Sequence, residues 1–175
     1  MYGAWDTATE GGKRLQLRAL DWDTGGPFQD FPQVTVYHAS SSDPSLGHSF
    51  ANVGWTGWLG SITGMSSENV AISEIGVSFP DSTFGKESRF GVPFTFLLRD
   101  ILQFDSSLSS AITRISKAKR TCDLILGVGS GGEPSNTSPF RGIQYSHDVV
   151  SIQNTRLRKR LANSRNFYDS IGAFL

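Results

Sequence analysis

The 175-residue sequence predicts an α+β domain in which two helices cover a largely antiparallel sheet. Three observations predict it. Short runs of alternating apolar and polar residues fill the first 76 positions, two helix-spaced segments follow, and alternation then returns. With 38% hydrophobic side chains the chain suits one domain with a real core, because a chain of this size buries roughly two-thirds of its unfolded surface.

Taken in order, the expected strands are "YGAW", "RLQLRALDW", "QVTVYH", "HSFANVGW", "GSITGM" and "NVAISEIGVS", separated by Gly, Pro, Asp and Ser. The polar connection "SFPDSTFGKESRFG" leads into "VPFTFLLRDILQF", where Pro93 suits a first helical turn. Phe94, Leu97, Leu98, Ile101 and Leu102 share one face of that helix. Asp105-Ser106 is the expected cap of a second amphipathic helix, "SLSSAITRISKA", with Leu108, Ala111, Ile112 and Ile115 inward. A tight turn between two such helices implies a hairpin. Strands "TCDLILGVG", "GIQYS" and "VVSIQ" follow. Beyond Gln153 the composition shifts to a basic stretch with Arg156, Arg158, Lys159, Arg160 and Arg165, expected as a surface helix or frayed tail. The expected division is a domain over 1–153 and a divergent tail over 154–175.

Sixteen basic and sixteen acidic side chains balance, so no broad positive field draws nucleic acid. No run nears the roughly 18 apolar residues of a spanning helix, and strand-like sequence follows Met1 with no export signal pattern, so a soluble chain without a membrane span is expected. Cys122 is the single cysteine, which excludes an internal disulfide and a paired-cysteine zinc site. It is expected as a packed thiol, with a nucleophile as the alternative. His38, His48 and His147 are too scattered to form a metal site, and neither a metal nor a cofactor is expected. Asn136-Thr137-Ser138 is a glycosylation sequon followed by Pro139.

Two familiar patterns fail in context. "GVGSGG" (127–132) matches a dinucleotide-binding glycine loop, but "EPSNTSP" cannot open the helix that would hold a pyrophosphate. "GHSFA" (47–51) matches a nucleophile elbow at Ser49 but lacks the strand before it and the helix after it. A serine hydrolase using Ser49 therefore stands third among the functional readings. The stretch "RLQLRALDWDTGG" stands apart, because a strand expected to end at a turn finishes on Arg18, Asp21, Trp22 and Asp23. Locally, Arg18 and Asp21 read as a strand-end ion pair, worth at most about 1 kcal/mol if exposed. Trp22 reads as a core plug and Asp23 as a turn residue.

Three blocks occur in order: "RALDW", "GWTGWLGSITGMSSENVAISE" and "RFGVPFTFLLRDIL". Together they resemble the N-terminal-nucleophile (Ntn) hydrolases of the acid ceramidase, N-acylethanolamine amidase and penicillin acyltransferase branch, and look closest to the ceramidase-like proteins of social amoebae. The resemblance covers roughly residues 2–152. It implies an αββα sandwich, here incomplete, and hydrolysis of linear fatty-acyl amide bonds by a cysteine freed as the N-terminus. The free α-amine of that cysteine serves as its base, and nearby charge favours the thiolate. By resemblance, Arg18 stands beside the sulfur and Asp21 holds the α-ammonium. Ser66 falls where the family often has an oxyanion-binding asparagine. Trp55, Trp58, Ile62 and Met65 would line an acyl pocket, although core packing explains them equally well. The resemblance also implies a lysosomal or secreted home and a small lipid-like amide as partner.

The family's cysteine would fall at Tyr2 or just ahead of Met1, and a phenol cannot perform its chemistry. Nothing after Gln153 resembles the family's further strands. The expectation is therefore a fragment of an amidase domain lacking its nucleophile, with open sheet edges that call for a missing C-terminal half or self-association. The alternative is a noncatalytic relative that binds acyl lipid or a partner chain, and the sequence leaves enzymatic turnover open.

Overall fold

The computed structural model describes residues 2–20, 25–26, 28–79, 82–134 and 137–154. Among these residues nine strands and two α-helices form three layers. β1 (Tyr2–Asp6) and β2 (Gly12–Leu17) make an antiparallel hairpin. β3 (Pro32–Tyr37), β4 (Phe50–Trp55), β5 (Thr63–Ser66), β6 (Val70–Gly76), β7 (Leu124–Ser130), β8 (Phe140–Tyr145) and β9 (Val150–Asn154) make a seven-stranded sheet in that order, with every neighbouring pair antiparallel. The helices α1 (Phe94–Phe104) and α2 (Leu108–Lys117) lie in the chain between β6 and β7, which still pair along their full length.

Each expected strand and helix is present, and the differences concern their ends. β2 stops at Leu17, so Arg18 lies just beyond the strand. The cap of α2 is Ser107, not Asp105-Ser106: its hydroxyl accepts from the Ser110 amide, and the Ser110 hydroxyl accepts from the Ser107 amide. Asp105 instead ends α1 and receives two hydrogen bonds from Arg114, from Nε at 2.6 Å and Nη2 at 3.1 Å. This part-buried, two-pronged pair ties the start of the helix turn to α2, and its hydrogen bonding raises the Arg114 pKa.

The core lies between the helices and one sheet face. Leu97, Leu98, Ile101 and Leu102 of α1, with Leu108, Ala111 and Ile115 of α2, pack on Val70, Ile72, Leu126, Val128 and Ile143. Strand alternation assigns these sheet residues to one face. On the opposite face the β1–β2 hairpin comes down on β7 and β8, where Gly129 leaves room for Gln16 and Gly127 leaves clear the Ser73 hydroxyl beside it. A Cβ on Gly127 would stand 2.7 Å from Ser73 Oγ, and one on Gly129 would stand 2.5 Å from Gln16 Oε1. The hairpin covers only part of this face. Val34, Val36, Val53 and Met65 of β3–β5 remain exposed, as do Leu15 and Leu17 on the hairpin.

The closest hairpin contact gives a test. A Cβ on Gly3 would lie 2.6 Å from Phe140 Cγ, whereas a Cβ on Gly54 meets nothing within 4 Å. Gly3→Ala is expected to lower the urea-unfolding free energy by about 1–3 kcal/mol, and Gly54→Ala to change it by about 0.5 kcal/mol or less. Equal effects would show that the hairpin is not seated on β8.

Candidate functional site

The hairpin's inward residues lead stepwise to a buried ion pair. Arg14 donates to the carbonyls of Ser130, Gly131 and Glu133, holding the turn after β7. Two residues on, Gln16 Nε2 donates to Ser73 Oγ at 2.8 Å and to the Gly127 carbonyl at 3.1 Å. Two further on, Arg18 Nη1 donates to the Glu74 carbonyl at 3.3 Å and lies 3.9 Å from Glu74 Oε1. The two side chains are only 11% and 6% exposed, so this is no surface strand-end pair. β5 pairs β6 only as far as Thr63↔Ser73, and Arg18 enters at the next residue, where β6 has lost that neighbour.

Burial dominates the electrostatics. Desolvation raises the Glu74 carboxyl and lowers the Arg18 guanidinium, and in each case their mutual attraction opposes the shift without cancelling it. Cys122, half-buried just before β7, has its thiol pushed up to about 11, first by burial and then by the nearby acids Glu87, Asp123 and Glu74, against a hydrogen bond with Thr121. Such a thiol is a poor nucleophile near neutral pH. The buried Tyr145 phenol is likewise raised by desolvation.

The sequence-predicted site residues fall in three places. Arg18 belongs to the pair just described, and the register Tyr2↔Leu17 brings the start of β1 alongside the residue before it. Trp55 and Trp58 meet Phe28 in an aromatic cluster with ring centroids 5.0–6.3 Å apart, at the same end of the sheet as Glu74. The Trp58 Nε1 there is buried without a hydrogen-bond partner. Ile62 is buried, while Met65 is exposed on the far face. Ser66 is buried at the other end of β5, pairs with Phe50, and accepts from the Val70 amide at 3.3 Å within the β5–β6 turn. The structure therefore does not bring Ser66 to Arg18, since three residues of strand span about 10 Å. Asp21, Trp22, Asp23, Asn136 and the basic stretch after Asn154 lie outside the described residues. Ser49 precedes β4 rather than a helix and accepts from the Ala39 amide, so no nucleophile elbow forms. Gly127 through Ser130 lie inside β7, and among the described residues no helix follows them.

Glu74 was not singled out from the sequence, yet its signal was present. In "VAISEIG" the inward positions run Val70, Ile72, Glu74, so alternation places a carboxylate on a buried row. Among the described residues no three His, Cys, Asp or Glu side chains gather as a metal site requires, and no helix is long and apolar enough to cross a membrane.

Two measurements follow from the burial of these groups. A carboxyl whose folded pKa is raised stabilises the fold fully below its unfolded value, about 4.3, and that stability is lost as pH rises toward the folded value. Glu74→Gln cannot ionise, so its melting temperature relative to the parent should rise between about pH 4 and pH 7. A constant or falling difference would contradict a raised Glu74. Cys122 in the folded chain should react with iodoacetamide at pH 8 about 100-fold more slowly than in urea, following the loss of thiolate.

No family model matches the sequence. Two proteins of Dictyostelium discoideum are similar to it: Protein dcd1A, 40% identical over 156 residues, and Protein dcd1B, 39% identical over 150 residues. The matches take in 87% and 86% of this chain but 34% and 28% of those proteins, so the chain spans about a third of their length. Among solved structures, the Caenorhabditis elegans N-acylethanolamine-hydrolyzing acid amidase ortholog superposes with a TM-score of 0.63 at 13% identity, over 86% of this chain and 62% of that one. The strands, helix hairpin and strands described above are therefore an α+β Ntn-hydrolase-like fold, that of the amidase structure.

Proposed function

We propose that this chain carries the arginine-bearing part of an Ntn-type amidase site that hydrolyses linear fatty-acyl amide bonds. The observation that carries this reading is the buried Arg18 beside the start of β1, backed by Glu74, with the Trp55–Trp58–Phe28 cluster at the same end of the sheet. A nucleophilic cysteine at the start of β1 would stand next to the Arg18 guanidinium, a fixed cation that favours thiolate over thiol. The thiolate attacks the acyl carbon, the amine leaves with the proton held by the cysteine's α-amine, and water then releases the acid from the thioester. Desolvation strengthens Arg18's influence on the sulfur, because a cation acts more strongly in a dry cleft than in water. The aromatic cluster offers an apolar wall for the acyl chain. The same reading implies a lysosomal or secreted home.

Within residues 1–175 the only thiol is Cys122, whose raised pKa argues against it as this nucleophile. That observation favours a second reading, a noncatalytic protein that keeps the cleft and binds acyl lipid. The deciding assay compares this chain with a version extended through its native upstream codons, each with and without Arg18→Ala, on a fluorogenic fatty-acyl amide. Turnover in the extended form alone, reduced at least about 100-fold in Arg18→Ala, is the expected outcome. Turnover that survives Arg18→Ala would overturn the proposal, and folded but inactive forms throughout would favour the lipid-binding reading.

A further inference from the structure

A cavity of about 270 Å³ lies between the β3–β4 edge and α1. It sits at the end of the sheet opposite the Arg18–Glu74 pair: Phe50, in its wall, pairs with Ser66, while Glu74 follows the Thr63↔Ser73 pair at the other end of β5. Its polar wall is made of Arg99, His38 and His48. Arg99 Nε is buried with no hydrogen-bond partner, and no acidic side chain among the described residues forms an ion pair with it. Glu68 approaches His48 Nδ1 at 3.8 Å but is not part of the cavity wall. Arg99 thus brings to the cavity wall a fixed positive charge that no carboxylate neutralises, and an oxyanion in the cavity would supply the missing counter-charge.

The wall is built rather than incidental. Gln103 of α1 donates through Nε2 to the Leu46 carbonyl at 2.7 Å, and its own carbonyl accepts from the His48 amide at 2.6 Å, which fastens the segment before β4 to the helix. On the apolar side, Tyr37 and Phe50 stack with ring centroids 4.6 Å apart and planes 18° apart. A cation, two imidazoles and an aromatic wall in this volume suit a small molecule with a charged head and an apolar body.

We propose that this cavity binds a small organic oxyanion, a carboxylate or phosphate on a short apolar body, with Arg99 as its principal ligand. The proposal is independent of the chemistry at Arg18. Calorimetric titration of the 175-residue chain with hexanoate, inorganic phosphate and neutral hexanamide tests it. Hexanoate or phosphate should saturate a single site, hexanamide should bind at least tenfold more weakly, and Arg99→Gln should weaken the anion at least tenfold. Phosphate binding alone would mark the head group as the recognised element, and preference for hexanoate would mark the apolar wall as contributing. NMR of the unaltered chain supplies the localisation without relying on a variant: the Gln103 side-chain amide and the His48 ring should shift with bound anion. Absence of saturable anion binding, equal binding of hexanamide, or shifts confined to residues elsewhere would overturn the proposal.

Discussion

The close approach of the β1–β2 hairpin to β7 is the constraint on which the candidate site depends. Gly127 and Gly129 give up side chains so that Gln16 can reach Ser73 Oγ and the Gly127 carbonyl. Those hydrogen bonds satisfy a buried amide donor and set the height of the hairpin above the sheet. Residues 14, 16 and 18 point down in turn, so the height fixed at Gln16 also fixes Arg18 against Glu74. A hairpin held further away would leave that guanidinium in water, where its influence on a neighbouring group is about fourfold weaker.

The two faces of the sheet are treated differently, and the difference gives each end of the molecule its character. On one face α1 and α2 form a closed apolar layer, stitched together by the Asp105–Arg114 pair and the Ser107–Ser110 capping box. The other face is covered at β7 and β8 and bare at β3 to β5, where Val34, Val36, Val53 and Met65 are exposed. Two charged groups stand where a layer ends. Arg18 and Glu74 meet where β5 stops, and Arg99 emerges where α1 overhangs the β3–β4 edge. Both are places where regular packing gives way, and there a charged group can be held dry without breaking a ladder.

The Arg18–Glu74 pair illustrates how burial outweighs attraction. Were Coulomb attraction dominant, the carboxyl would be lowered and the guanidinium raised; the observed directions are the reverse for both. Taking both charges out of water opposes the attraction between them, as is usual for buried ion pairs.

The sequence by itself determined the nine strands, both helices and their inward faces, because period-2 and helical spacing are local signals set by which side chains must leave water. It also marked Arg18 as out of place at a strand end. Tertiary structure decided what the local pattern could not. Glu74 became Arg18's partner because layer packing joins residues 56 positions apart. Ser66 was drawn into a hairpin turn, away from Arg18, because register places it at the far end of β5. The α2 cap moved to Ser107, where the hydroxyl can reach the Ser110 amide, and freed Asp105 for Arg114. In each case the deciding quantity is a distance between layers or along a register, and such distances exist only once the hairpin, sheet and helices have packed.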